Sequence, residues 1–214
     1  MCFNYKVSLF TFLIGTIFSI LLITNGNRKY AMENTITGIF LIFISLIQLM
    51  DFFFWIDIDN KFGINKITTI IGPVLNVGQP LILYMIKYLY YKPNIFTMKN
   101  YNLPIAILNL LYLIYFIVIY IQFLSNDNLI TGVNDKDGHL KWNWIDYANP
   151  YFYLILFAIN IFYLFNRKYA LILFGITYFF LYISYKYFQY SIGEIWCFFG
   201  SIIPLIMYFI SFYI

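Results

Sequence analysis

Long apolar stretches, broken by short polar turns, run along almost the whole chain. An α-helix rises 1.5 Å per residue, so crossing about 30 Å of hydrocarbon takes roughly 20 apolar residues. Seven segments reach that length: 7–24, 35–56, 66–90, 103–124, 148–165, 169–188 and 192–213. The third contains Pro73 and Pro80, and the fourth opens near Pro104, a first-turn position that tolerates proline. The first is too long for the apolar part of a secretory signal and has no small-residue cleavage site after it, so it is expected to be a helix. The pattern predicts an all-α membrane fold, a single bundle of seven transmembrane helices in one domain spanning 1–214.

The one long polar interval, 125–147, lies between the fourth and fifth segments. Leu140, Trp142 and Trp144 alternate there with Lys141 and Asn143, which is strand periodicity. Asn134-Asp135-Lys136-Asp137-Gly138 before them is turn material. A short extramembrane hairpin is expected, lying on the outer surface as a lid, with its Trp rings at the lipid headgroup level. Asp135-x-Asp137-Gly138 does not fit a calcium loop. With Asp135 in first position the glycine slot holds Leu140, and with Gly138 in that slot the first position is Val133.

Composition agrees with the pattern. The 214 residues are 63% hydrophobic and 10% charged, against about 25% charged in soluble domains. The partner this implies is a lipid bilayer. A formal charge of +4 with no clustered basic face gives no support to nucleic-acid binding. One histidine, His139, and two cysteines exclude bis-histidine haem, His-rich zinc and iron–sulfur sites. No glycine-rich nucleotide motif occurs, and no lysine lies mid-membrane in the last helix for a retinal Schiff base.

Lys and Arg in short loops set orientation. Arg28, Lys29, Lys87, Lys92, Lys99, Arg167 and Lys168 fall on one side, and Lys6, Lys61, Lys66, Lys136, Lys141 and Lys186 on the other. Without the long loop the bias puts the first group in the cytoplasm, the N-terminus outside and the C-terminus inside.

Polar residues within membrane helices face the bundle interior as a rule. Helical spacing puts Gln48, Asp51 and Trp55 on one face of the second helix, and Gly72, Asn76 and Gln79 on one face of the third. Glu194, Cys197, Ser201, Pro204 and Tyr208 form a stripe on the seventh, beside Trp196. Gly175, Tyr178, Tyr182, Tyr185 and Gln189 do so on the sixth, and Ser8, Thr11 and Gly15 on the first, just after Cys2. On the proposed topology these groups gather at the outer end of the bundle. Cys2, Gln48, Asp51, Trp55, Asn76, Gln79, Glu194, Trp196 and Cys197 are therefore the binding candidates. The bland reading of the Asn, Gln and Tyr residues is interhelical hydrogen bonding. Cys2 and Cys197 are the one cysteine pair in the chain. On an oxidising face they form a disulfide, and otherwise two separate buried thiols.

Three elements resemble a known family: Met1-Cys2-Phe3, Gln48-Leu49-x-Asp51-x-x-x-Trp55, and Gly193-x-x-Trp196-Cys197-Phe198. They are similar to an uncharacterised seven-helix membrane family of bacteria and large DNA viruses. Its members carry Ser where Asn4 stands and Glu where Asp51 stands. The resemblance implies the seven-helix fold and no activity. Three function classes remain open: a bundle with a small polar-ligand or cation site at its outer end, a structural membrane protein of a virion or organelle, and a transporter. The first has no obvious catalytic nucleophile besides a thiol. The inner halves of the helices are mostly Ile, Leu and Phe, which disfavours a continuous pore.

Overall fold

A computed structural model describes residues 4–91, 102–136 and 138–213. Cys2, Lys92, Lys99 and Asp137 lie outside the described residues, and with them the bridge between Cys2 and Cys197. The helices are α1 Tyr5–Asn25, α2 Ala31–Ile56, α3 Ile64–Asn76, α4 Gln79–Tyr91, α5 Asn102–Leu124, α6 Pro150–Leu164, α7 Arg167–Tyr187, α8 Ile192–Gly200 and α9 Ile203–Ser211. Two-residue strands, β1 Gly132–Val133 and β2 Leu140–Lys141, pair antiparallel between α5 and α6.

Asparagine caps set several helix starts, each side chain accepting from backbone N–H groups that the helix leaves open. Asn4 accepts from Lys6 and Val7 at 2.9 and 3.2 Å. Asn149, ahead of Pro150, caps α6 in the same way, and Asn166 caps α7. Asp57, just past α2, organises the turn into α3. Its carboxylate accepts from the N–H groups of Phe62, Ile64 and Asn65 at 2.8–3.2 Å. Desolvation works to raise the Asp57 pKa, but the backbone donors outweigh it and hold the carboxyl below its ordinary value.

Five helical stretches are long and apolar enough to cross a membrane: α1, α2 with the short turn before it, α5, α7, and α8 with α9. A sixth is present if α3 and α4 are one broken span, bent by 59°. The seven expected segments thus become five or six full-length candidates. The fifth segment, α6, is 15 residues long, about 22 Å at 1.5 Å per residue, because Asn149 and Phe165 end it early.

The break in the third segment occurs at Val77-Gly78. Pro73 sits inside α3, and Pro80, which has no N–H to continue the ladder, opens α4. Side chains from neighbouring helices satisfy carbonyls along the broken span. The Tyr120 hydroxyl donates to Ile70 O, Tyr112 to Val77 O and Asn160 Nδ2 to Pro80 O, at 2.9–3.1 Å. The last segment is interrupted at Ser201-Ile202, just before Pro204.

α2 is central and packs on α1, α3, α4, α8 and α9. Ser8, Thr11, Gly15 and Ser19 line the buried face of α1. Small residues there let backbones approach closely. A Cβ on Gly15 would come 2.2 Å from Ser45 Oγ and 2.9 Å from Ser201 O. The Tyr stripe expected to face inward on α7 does not. Gly175, Tyr182, Tyr185 and Gln189 are exposed, and Tyr169, Ala170, Leu173, Thr177 and Ser184 are buried instead. Tyr169 is held inside by its hydroxyl, which donates to Asn34 Oδ1 at 3.2 Å, whereas a tyrosine without such a buried acceptor, apolar with one polar tip, is suited to the outside of a membrane helix.

Candidate functional site

The two paired strands of the hairpin are short, and the segment after β2 is driven into the end of the bundle. Val133 pairs with Leu140 and Gly132 with Lys141. Gly138, at φ +71°, turns the chain. Asn65 of α3 holds the incoming arm by both backbone groups of Thr131: Nδ2 donates to its carbonyl at 2.8 Å, and its N–H donates to Oδ1 at 2.9 Å. The Lys136 ammonium lies 4.3 Å from the centroid of the Tyr190 ring, which latches the hairpin tip to the α7–α8 connection.

Trp142 and Trp144 are only 3% and 1% exposed. They are not headgroup anchors, contrary to the strand-pattern expectation. The rings stack on each other at 5.2 Å. Trp144 enters a slot against Gly72, where a Cβ would lie 2.4 Å from the ring, and Trp142 packs over Gly193. Two glycines and an internal acceptor for the Trp142 indole make burial possible.

That acceptor is Asp51, buried at 1% exposure. Trp142 Nε1 donates to Oδ1 at 3.2 Å, and Gln48 Nε2 donates to Oδ2 at 3.2 Å. The Thr11 hydroxyl donates to Gln48 Oε1 at 2.9 Å, so α1 joins the chain of bonds. Across the bundle, the Leu140 N–H donates to Glu194 Oε2 at 3.0 Å, and His139 Nδ1 lies 3.4 Å from the same oxygen. Leu140 and Trp142, two residues apart in the hairpin arm, thus hold Glu194 and Asp51 beneath the same short segment. Among the described residues, no lysine or arginine is within ion-pair distance of Asp51.

Cys197 lies one helical turn after Glu194 on α8 and is buried. Asn76 Nδ2 and Gln79 Nε2 point at its sulfur from 3.7 and 3.9 Å. The helix break carries those two amides, ending α3 with one and starting α4 with the other. The Tyr153 hydroxyl donates to Gln79 Oε1. A cavity of about 20 Å³, lined by Gln79, Thr177, Trp196 and Cys197 among apolar residues, adjoins the thiol. It has room for one water.

The structure thus brings Gln48, Asp51, Asn76, Gln79, Glu194 and Cys197 to one end of the bundle. Trp196 borders the group, edge-on to Tyr153 at 5.5 Å. Trp55 is half-buried, and its indole N–H makes no hydrogen bond to the described residues. Thr11 belongs to the first-helix stripe that the spacing reveals. Trp142, His139 and Tyr153 join the site without having been expected there. The hairpin's alternation marks Trp142 as structured but gives no sign that it turns inward.

From outside, a cavity of about 180 Å³ leads between the hairpin and the α7–α8 connection. Lys141, Asp146, Gln189 and Ser191 are on its walls, and Glu194 borders it. Among the described residues, no group of three or more His, Cys, Asp or Glu side chains is arranged to hold a metal ion. No family model, curated protein or solved structure matches the chain.

Proposed function

We propose that the chain is a multi-pass integral membrane protein of seven helices, the broken third and the short α6 each included. It binds one small positive charge, a proton or an alkali-metal ion, between Asp51 and Glu194 under the hairpin. The observation that carries this reading is a pair of carboxylates, Asp51 and Glu194, buried at 1% and 3% exposure and bonded to Trp142 and Leu140 of the same hairpin arm, with no lysine or arginine at Asp51 among the described residues. Glu194 has the His139 imidazole at 3.4 Å to share a proton with, whereas a charged Asp51 in a medium of low dielectric needs a proton or cation of its own or one held with Glu194. Oxygen donors around a single ion suit a hard cation. The 180 Å³ cavity gives it a route to Glu194. The resemblance to the seven-helix family belongs to the same proposal, with the short-loop bias of basic residues placing the N-terminus outside and the C-terminus in the cytoplasm.

Transport is the second reading, and one observation favours it. Both interrupted helices, at Val77-Gly78 and Ser201-Ile202, pass beside the polar cluster, as in transporters whose sites are built on discontinuous helices. Against it, the side-chain amides of Asn109 and Asn160, the polar pair of the inner half, are spent on each other at 3.0–3.1 Å.

A weakly buffered, sodium-free solution of the purified protein tests the binding reading. Sodium chloride is expected to release protons from the wild type and not from Asp51→Asn. Equal release from both would exclude the pair as the site.

A further inference from the structure

A groove of about 570 Å³ lies between α4 and α5. That volume falls within the range of small-ligand sites. Its walls are apolar apart from Asn109 and the tips of Tyr84 and Tyr88. Asn109 is already bonded to Asn160 and to Ile105 O. The small side chain of Ala106 helps to keep the groove open. The lining continues onto faces that look outward: Met85 is 55% exposed, Leu89 68% and Leu110 56%. The Tyr84 and Tyr88 hydroxyls offer water only isolated partners on an otherwise apolar wall, and an apolar space of this size beside hydrocarbon is filled from the hydrocarbon.

The two ends of the groove differ. Leu113 marks one end, toward the bundle middle. At the other, Tyr88, Leu89 and Leu103 lie at the level of Lys87. The Lys87 ammonium sits 4.0 Å from the Tyr163 ring centroid and donates to Tyr163 O at 2.6 Å. Buried and turned to α6, Lys87 is not part of the groove lining, and its ammonium lies behind the groove wall. An acyl chain can lie along the apolar length, with an anionic headgroup at the charged end.

We propose that this groove is a binding site for one acyl chain of an anionic membrane phospholipid. The proposal rests on the membrane part of the proposed function and is independent of the acidic site.

The full chain is reconstituted into vesicles holding, at equal mole fraction, phosphatidylglycerol or phosphatidylcholine with a photoreactive group in the acyl chain. Resistance to carbonate extraction, checked on the same vesicles, separates a failure of the membrane reading from a failure of the groove. Label is expected on peptides from 81–89 and 103–113, above that on the outward face of α1 at Phe10 and Ile17. Phosphatidylglycerol should label about fivefold more than phosphatidylcholine, the factor one nearby basic residue supplies. Ala106→Trp should remove the groove label. Leu110→Trp, at an exposed position, does the same if the first variant fails to fold. Lys87→Gln should keep the label and lose the headgroup preference. Label spread evenly over α1 and the groove, label indifferent to both tryptophans, equal labelling by the two lipids, or cross-links joining two copies through this face would each overturn the proposal.

Discussion

The Trp142 indole N–H donates to Asp51 Oδ1 at 3.2 Å, joining the hairpin that follows α5 to the middle helix of the bundle. The bond crosses 91 residues of sequence. It ties the burial of the hairpin to the state of one carboxylate. Trp142→Phe removes the donor and also part of the ring that stacks on Trp144. It is expected to lower stability by about 1–3 kcal/mol, the usual cost of leaving a buried polar group unsatisfied. Thermal unfolding in detergent measures it, and an unchanged midpoint would show that the bond contributes nothing.

Gly72→Ala should act at the same place by a different route. The added Cβ meets the Trp144 ring at 2.4 Å, and the ring is held by Phe54, Phe123 and Trp142. Overpacking of this kind costs about 1–3 kcal/mol. Tryptophan fluorescence should shift to the red as Trp144 leaves its slot, whereas Gly175→Ala, with open space around it, should leave the spectrum alone.

Asp57 gives the fold a defined acid sensitivity. Its folded pKa is below the ordinary value, so it stabilises the folded state above the unfolded value of about 3.9. That stabilisation is lost as pH falls through the lower folded value. Asp57→Asn should be less stable than wild type at neutral pH, and the gap should close at the acid end. Melting curves from neutral to strongly acid pH check this. A gap independent of pH would mean the carboxylate charge is not what holds the α3 turn.

Topology has its own test. A membrane-impermeant thiol reagent, applied from either side, should reach Asn128→Cys and Lys29→Cys from opposite faces. Labelling of both from one side would contradict the arrangement of α2 through α5.

The apolar runs carried the helices, because a spacing of 3.6 residues and a length near 20 are properties of the sequence itself. The faces of α1, α2, α3 and α8 were legible for a related reason. Gln48, Asp51, Asn76 and Glu194 are costly to expose to hydrocarbon, so they turn inward wherever they stand. Tyrosine carries no such constraint, and the stripe through Tyr182 and Tyr185 faces out. Trp142 and Trp144 were misplaced for the opposite reason. Their alternation describes a strand, but the slot they fill is made by Gly72 and Gly193, 121 positions apart, and no local pattern reveals a cavity of that kind.

The central claim is that Asp51 and Glu194 hold one positive charge between them. Infrared difference spectroscopy of the protein in bilayers, in sodium-free buffer near neutral pH, tests it most directly. A carboxylic-acid C=O band is expected in the wild type, bleached by added sodium and absent from both Asp51→Asn and Glu194→Gln. A wild-type spectrum showing only ionised carboxylates, or a band that both substitutions leave in place, would contradict the claim.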